Sequence, residues 1–166
     1  MINLNIVNST PEEWAKTGRL LFSNRRYRQA KLCFDRASLP LERDISHAYH
    51  LRQDARLLER RSKQRQAAFL SAADAFWACG SKAEGIQKIR CFNRAAECYV
   101  ESEHLSQASG AYYLAEEWDM AARYARLAGE FDRAVKIIEE GRVKQSVANS
   151  ITQVCKVVYV QAKKFE

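Results

Sequence analysis

The sequence predicts an all-α protein, an α-solenoid of about seven or eight antiparallel helices that stack one on the next. Helix-breaking residues are scarce, with two prolines and six glycines among 166 residues. Ala, Leu, Glu, Arg and Gln are abundant, which favours helix over sheet. A 13-residue repeat in the second half predicts the stacking. The length fits a single domain, residues 1–166, and the 47% hydrophobic content is enough for a packed core.

The first helical hairpin is predicted for residues 10–40, after a loose lead-in over residues 1–9. Thr10 can cap the first helix, Pro11 suits its first position, and Glu13 completes a capping box. These three residues therefore predict where the first helix begins.

Longer helices are predicted for residues 41–79. Pro40 is expected to end the preceding hairpin, because the residue before a proline disfavours helix. A charged stretch interrupts the apolar stripes of this region, and we expect a break between two helices near residues 60–65, the alternative being one long helix. Gly80 and Ser81 are expected to form a turn.

Short helices are predicted for residues 82–140, where a large apolar residue is followed three positions later by alanine. Successive copies of this pair begin 13 residues apart. They are Phe92 with Ala95, Leu105 with Ala108, Trp118 with Ala121, and Phe131 with Ala134. Tyr27 and Ala30 form a fifth copy out of phase.

The repeat has a simple meaning in helix geometry. Residues three apart share one helix face, so a large side chain at the helix start can fill the gap at the turn while the alanine lets the neighbouring backbone approach to about 8–10 Å. Thirteen residues fit a helix of about ten residues plus a tight turn. So short a helix is not stable alone in water, so neighbours must stack. An ordinary helical bundle with coincidental phasing is the alternative.

A long C-terminal helix is predicted for residues 143–165. Its apolar stripe comprises Val143, Val147, Ile151, Val154, Val158, Ala162 and Phe165. Such a helix closes the stack or docks onto a following segment. A strand is the alternative, because residues 154–160 are rich in β-branched side chains.

The net charge of +7 is concentrated in the first half. Residues 1–90 carry 17 basic and 9 acidic residues, a net charge of +8, whereas residues 91–166 carry a net charge of −1. A basic partner surface is predicted on two groups of residues. The first group is expected to line one helix face and comprises Arg52, Arg56, Arg60 and Lys63. The second group comprises Arg19, Arg25 and Arg26. A solvated helical surface is the alternative, and aromatic residues for base stacking are missing around residues 52–65.

No catalytic, cofactor or metal site is predicted. His47 and His50 can share a helix face, but no third ligand is evident in the sequence. The five cysteines form no C-x-x-C pair, and no base stands ready to activate one. With no secretory signal or apolar run of transmembrane length, we expect an intracellular protein, nuclear or cytoplasmic, and no membrane partner.

Residues 14–37 resemble a tetratricopeptide repeat. The aromatic, small and apolar places of that pattern are occupied in order by Trp14, Gly18, Leu21, Tyr27, Ala30, Phe34 and Ala37. The lysine and asparagine that clamp a C-terminal carboxylate in some members are not reproduced, since Ala15 and Arg19 stand there. Later repeats depart from the pattern in helix length.

A resemblance over nearly the whole chain rests on stretches such as "EEWAKTGRLLFSNRRYRQAKLCFDRA" and "CFNRAAECYVESEHLSQASGAYYLAEEWDMAARYARLAGEFDRAVKIIE". They are similar to the tetratricopeptide-like region of large fungal proteins with a UvrD/Rep-type superfamily 1 helicase-like ATPase, which are related to tetratricopeptide-and-ankyrin-repeat proteins. The resemblance implies a fragment that lies outside the motor, because no phosphate-binding loop occurs here.

The sequence therefore predicts a non-catalytic protein-interaction or scaffolding module. Its expected partner is another protein, or the ATPase domain of the larger helicase-like protein from which the fragment would come, called the parent protein below. No cofactor is expected. One alternative is an auxiliary nucleic-acid-binding surface on the basic N-terminal half. A second is a vesicle-trafficking or coat-type adaptor, since a weaker similarity extends to soluble NSF-attachment proteins and coat solenoids.

Overall fold

The computed structural model of the chain describes residues 8–164, which form nine α-helices in succession. The helices are α1 (Pro11–Ser23), α2 (Tyr27–Arg36), α3 (Pro40–Leu57), α4 (Lys63–Lys82), α5 (Gly85–Glu101), α6 (Leu105–Leu114), α7 (Trp118–Leu127), α8 (Phe131–Glu139) and α9 (Gln145–Lys163). Each helix packs against the next along the chain. The predicted all-α, solenoid-like fold is confirmed, with one helix more than the upper number expected. Residues 1–7 of the predicted lead-in, and Phe165 of the last stripe, lie outside the described residues.

The predicted capping box opens α1. The backbone N–H of Glu13 donates to Oγ1 of Thr10 at 3.3 Å, and the backbone N–H of Thr10 donates to Oε2 of Glu13 at 3.0 Å. Two amides that would lack a helical partner are thereby satisfied. Further along α1, Gly18 lies under the ring of Phe34, where an added Cβ would stand 2.9 Å from a ring carbon. Gly18 therefore allows α1 and α2 to approach closely.

One tight turn recurs before five of the helices, α2, α3, α6, α7 and α8. Each copy contains one residue with a left-handed backbone: Arg25, Ser38, Glu103, Glu116 or Gly129. Before α7, the N–H of Glu116 donates to the carbonyl of Tyr113 at 3.1 Å, and that of Glu117 to the carbonyl of Tyr112 at 2.9 Å. This is the Schellman pattern, which satisfies carbonyls at the end of the preceding helix.

The turns correct two predictions about helix starts. Tyr27, Leu105, Trp118 and Phe131 are each the first residue of a helix, so the copy at Tyr27 is equivalent in structure to the later ones. Phe92, in contrast, lies in the middle of α5 and begins no helix. The first hairpin ends before Pro40, since α2 stops at Arg36 and Leu39 has a non-helical backbone, and Pro40 itself occupies the first turn of α3, a position that needs no N–H donor.

The alanines of the repeat are the most deeply buried part of the pattern. Five of them have no exposed surface: Ala30, Ala95, Ala108, Ala121 and Ala134. Phe92 and Phe34 are buried as well, whereas Leu105, Trp118 and Phe131 are half-buried at the turns. Small side chains at the contacts between helices let the backbones approach closely.

The long middle region is broken at residues 58–62, which overlaps the predicted break. Ser62 caps α4, since its hydroxyl accepts from the N–H of Arg65 at 3.1 Å. The turn predicted at Gly80 and Ser81 is wrong, because both lie inside α4. Gly80 instead faces the ring of Phe92, where an added Cβ would stand 2.9 Å from two ring carbons.

The last helix is anchored by its first half only. Val147 and Ile151 are buried, but from Val157 onward the side chains of α9 are exposed. The start of α9 is held by Asp119 of α7, whose Oδ1 accepts from the N–H of Lys144 at 2.8 Å. Asp119 thus caps another helix rather than its own. Residues 154–160 are helical, so the strand alternative is wrong.

Candidate functional site

An open cavity of about 300 Å³ lies where α3 meets α5 and the turn between α1 and α2. Four arginines line it: Arg25, Arg52, Arg56 and Arg94. The remaining lining residues are Tyr27, Tyr49 and Gln53. We refer to these seven residues as the arginine cavity. Three separate elements therefore direct guanidinium groups to one depression in the surface.

Backbone geometry places the first arginine at the rim. Arg25 is the left-handed residue of the turn before α2, with φ of 60°. The side-chain amide of Gln53 donates to the backbone carbonyl of Arg25 at 3.4 Å, which ties this turn to α3. Arg52 and Arg56 are one helical turn apart on α3, so their side chains lie on the same face.

One carboxylate serves two of the arginines. Oε2 of Glu97 lies 3.1 Å from Nη2 of Arg52, and both oxygens of Glu97 accept from Nη1 of Arg94, at 2.8 and 3.0 Å. Only 13% of the Arg52 side chain is exposed, and burial lowers the pKa of its guanidinium because the charged form loses hydration. Arg25 and Arg56 form no ion pair among residues 8–164. The cavity therefore keeps a surplus of positive charge.

The tyrosine rings of the cavity are occupied by packing. The rings of Tyr27 and Tyr49 stack at 5.0 Å, and Tyr49 meets Phe22 and Phe76 edge-on at 5.1 and 4.9 Å. The hydroxyl of Tyr49 accepts from Nε of Arg94 at 3.4 Å. Tyr49 thus joins α1, α2 and α4 to the cavity and fixes one of its arginines.

An adjoining cavity of about 290 Å³ shares Arg52 and Arg56 and adds Glu97, Glu101 and Arg65. Nη1 of Arg65 donates to the backbone carbonyls of Arg56 and Leu58 at 3.0 and 3.1 Å. These carbonyls lie at the end of α3, where no helical N–H reaches them. Arg65 therefore caps α3 from the following helix, a role that its position in the sequence did not indicate.

The predicted basic residues are only partly brought together. Arg25, Arg52 and Arg56 share the arginine cavity, while Arg60 lies in a neighbouring concavity and Arg19 beside Phe22 and Glu42. Arg26 and Lys63 contribute to neither the arginine cavity nor the adjoining one. The prediction of one helix face for Arg52, Arg56, Arg60 and Lys63 is wrong, because α3 ends at Leu57.

Arg94 was missed from the sequence. It belongs to the half of the chain whose net charge is −1, and only the packing of α5 on the preceding helices brings it beside Arg52. A second basic cavity, of about 410 Å³ between α7 and α9, contains Arg123 and Arg126. Arginines thus line cavities between α3 and α5 and between α7 and α9.

The residues with reactive side chains are held apart or buried. Burial raises the pKa of the Cys79 and Cys98 thiols to about 12, so both are protonated at neutral pH. His47 lies 3.3 Å from Nζ of Lys31, and His50 lies 3.3 Å from Oδ2 of Asp54. Within residues 8–164 no three histidine, cysteine or acidic side chains are grouped to hold a metal ion.

None of the helices formed by residues 8–164 combines the length and apolar composition that a membrane crossing needs. Comparison of the chain with protein-family models, with curated proteins and with solved structures gave no match in any of the three cases.

Proposed function

We propose that the chain is a non-catalytic module that binds a protein partner on the surface around α3 and α5. The arginine cavity is the observation that supports this proposal. Four guanidinium groups from three elements line one open depression, and within residues 8–164 only the carboxylate of Glu97 forms ion pairs with them. Charged groups held in this way give a surface specificity for a partner of opposite charge.

The scaffold is suited to presenting such a surface without rearrangement. The backbone of Arg25 is held by its turn and by Gln53, while the guanidinium groups of Arg52 and Arg94 are held by Glu97. The fully buried alanines keep the helices close-packed behind the cavity. A surface that is already in its binding conformation loses less conformational entropy when a partner binds.

The resemblance to a tetratricopeptide-like region next to a helicase-like motor extends this proposal. On that basis the chain is an intracellular fragment, nuclear or cytoplasmic, whose partner is another protein or the ATPase domain of its parent. The buried, protonated cysteines and the separately bonded histidines fit a module without enzymatic activity.

Site-specific photo-cross-linking tests the proposal. A benzophenone amino acid replaces either Gln53, in the arginine cavity, or Ser71, exposed on α4. In cells that produce the parent protein, we expect a discrete cross-linked protein from position 53 and none from position 71. The purified chain should release no phosphate from ATP. Equal cross-linking from both positions, or ATP hydrolysis by the purified chain, would contradict the proposal.

The excess of arginine also supports auxiliary nucleic-acid binding as a second candidate. Binding through phosphate contacts weakens steeply as salt rises. Fluorescence anisotropy with single- and double-stranded oligonucleotides at two salt concentrations measures it. Binding that is absent at low salt, or unaffected by Arg56→Glu with Arg60→Glu, would exclude this function.

A further inference from the structure

The arginine cavity has a surplus of positive charge that a ligand with more than one negative charge would balance. Arg52 and Arg94 share the carboxylate of Glu97, and Arg25 and Arg56 have no acidic partner among the described residues. Four cations and one anion leave three positive charges around an open volume of about 300 Å³. Water and salt ions are the alternative occupants, and a bound dianion would release them.

Hydrogen-bonding capacity restricts the ligand further. Guanidinium groups only donate, and the amide of Gln53 already donates to the carbonyl of Arg25. The hydroxyl of Tyr49 accepts from Arg94, which leaves its own hydrogen available to donate. The cavity is therefore rich in donors, and a ligand must supply several acceptor oxygens.

We propose that the arginine cavity binds the phosphate group of a phosphorylated serine or threonine in an extended segment of a protein partner. A phosphate monoester carries about −1.5 to −2 charges and three acceptor oxygens, which matches the surplus better than one carboxylate. Arg25 from the turn and Arg56 from α3 are the arginines free to hold it. This inference rests on the proposed protein-binding function and adds the chemistry of the ligand.

The surroundings favour a single phosphate on a peptide over a nucleic acid. The rings of Tyr27 and Tyr49 are stacked on each other and both meet Phe22 edge-on, so neither ring stands apart as a platform for base stacking. The adjoining cavity contains Glu97 and Glu101 beside its arginines, so it offers acceptors that the phosphates of a polynucleotide, which only accept hydrogen bonds, cannot use. The same carboxylates can accept hydrogen bonds from the N–H groups of a peptide.

Fluorescence anisotropy with a labelled dodecapeptide tests the inference. The peptide carries one phosphoserine among glycines and alanines, and it is compared with its serine form and with an oligothymidylate of equal length. The cavity variant is Arg25→Gln with Arg56→Gln. The matched control, Arg60→Gln with Lys63→Gln, removes the same charge from residues that do not line the cavity. All four residues are exposed, so both variants should have the melting temperature of the unsubstituted chain.

We expect the phosphopeptide to bind about tenfold or more tightly than the serine peptide, since hydrogen bonds to charged groups carry such differences. The cavity variant should lose that advantage, and the control should change the affinity less than about threefold. Equal binding of the two peptides would overturn the inference, as would equal losses in both variants. A dissociation constant above about 1 mM for the phosphopeptide would overturn it too. So would oligothymidylate that binds as tightly as the phosphopeptide and loses as much affinity in the cavity variant.

The result separates this inference from the proposed function. If cross-linking from position 53 persists in the cavity variant, the chain binds a protein by other contacts and the phosphate site is wrong. If the phosphopeptide binds but no protein is cross-linked, the phosphate chemistry stands and the proposed function is wrong.

Discussion

Replacing Gly80 by alanine sets two opposing effects against each other. Alanine inside a helix is favoured over glycine by about 1 kcal/mol. The new Cβ, however, would stand 2.9 Å from two carbons of the Phe92 ring and 3.0 Å from a third. Phe92 is only 3% exposed and meets Trp77 edge-on at 5.1 Å, so its ring has little room to move.

The steric effect should exceed the gain in helix propensity. Overpacking of a filled core costs about 1–3 kcal/mol, so after the gain in helix propensity we expect Gly80→Ala to lower the free energy of unfolding by up to about 2 kcal/mol net. The melting temperature should fall by about 2–4 °C for each kcal/mol. Urea titration and thermal melting, both followed by far-ultraviolet circular dichroism, measure the two quantities.

Gly110→Ala is the matched control. Gly110 is also inside a helix, but its nearest neighbour would be Nη2 of Arg133 at 3.1 Å, the mobile end of a long side chain. This variant should therefore be neutral or more stable by up to about 1 kcal/mol. If Gly80→Ala is as stable as Gly110→Ala, the ring of Phe92 does not restrict the space beside residue 80, and the reasoning about Gly80 is refuted.

Three further outcomes are expected. Glu116→Gly should raise the free energy of unfolding by about 1 kcal/mol in a urea titration, because a left-handed backbone disfavours side chains; no gain would contradict the assigned turn. Asp119→Ala should lower the free energy of unfolding by about 1–2 kcal/mol and speed amide hydrogen exchange in α9. Asp132→Ala, at the equivalent position of the repeat, should change that free energy by less than about 0.5 kcal/mol. Equal effects of the two substitutions would exclude the capping of α9 by Asp119. The melting temperature should fall as pH rises above about 9, because thiols ionise there in the unfolded chain, whereas folding raises the pKa of Cys79 and Cys98 to about 12; Cys98→Ala should reduce this dependence.

Features that depend on neighbours in sequence were predictable. Helix content follows from composition, and the capping box at Thr10 and Glu13 is purely local. The repeated alanines were recognisable because residues three apart share a face, whatever the helix packs against. The break before α4 was visible because the apolar stripes stop there.

Features that depend on distant contacts were not predictable. A glycine permits a turn and also a close approach, and Gly80 serves the second purpose only because Phe92 lies opposite. Arg25, Glu103 and Glu116 adopt left-handed turns without being glycine, so composition did not reveal them. In the candidate site, Arg94 and Arg65 act through residues on other helices, and no local pattern points to either role.

The succession of neighbouring contacts bears on how the molecule folds. Because the helices up to α8 pack principally on the helix before and the helix after them, most contacts join residues that are close in sequence, and such proteins fold quickly. Opening can also begin at one end without disturbing the other. All seven residues of the arginine cavity lie between positions 25 and 94, within the first five helices. The cavity can therefore form early and persist while α8 and α9 are unfolded.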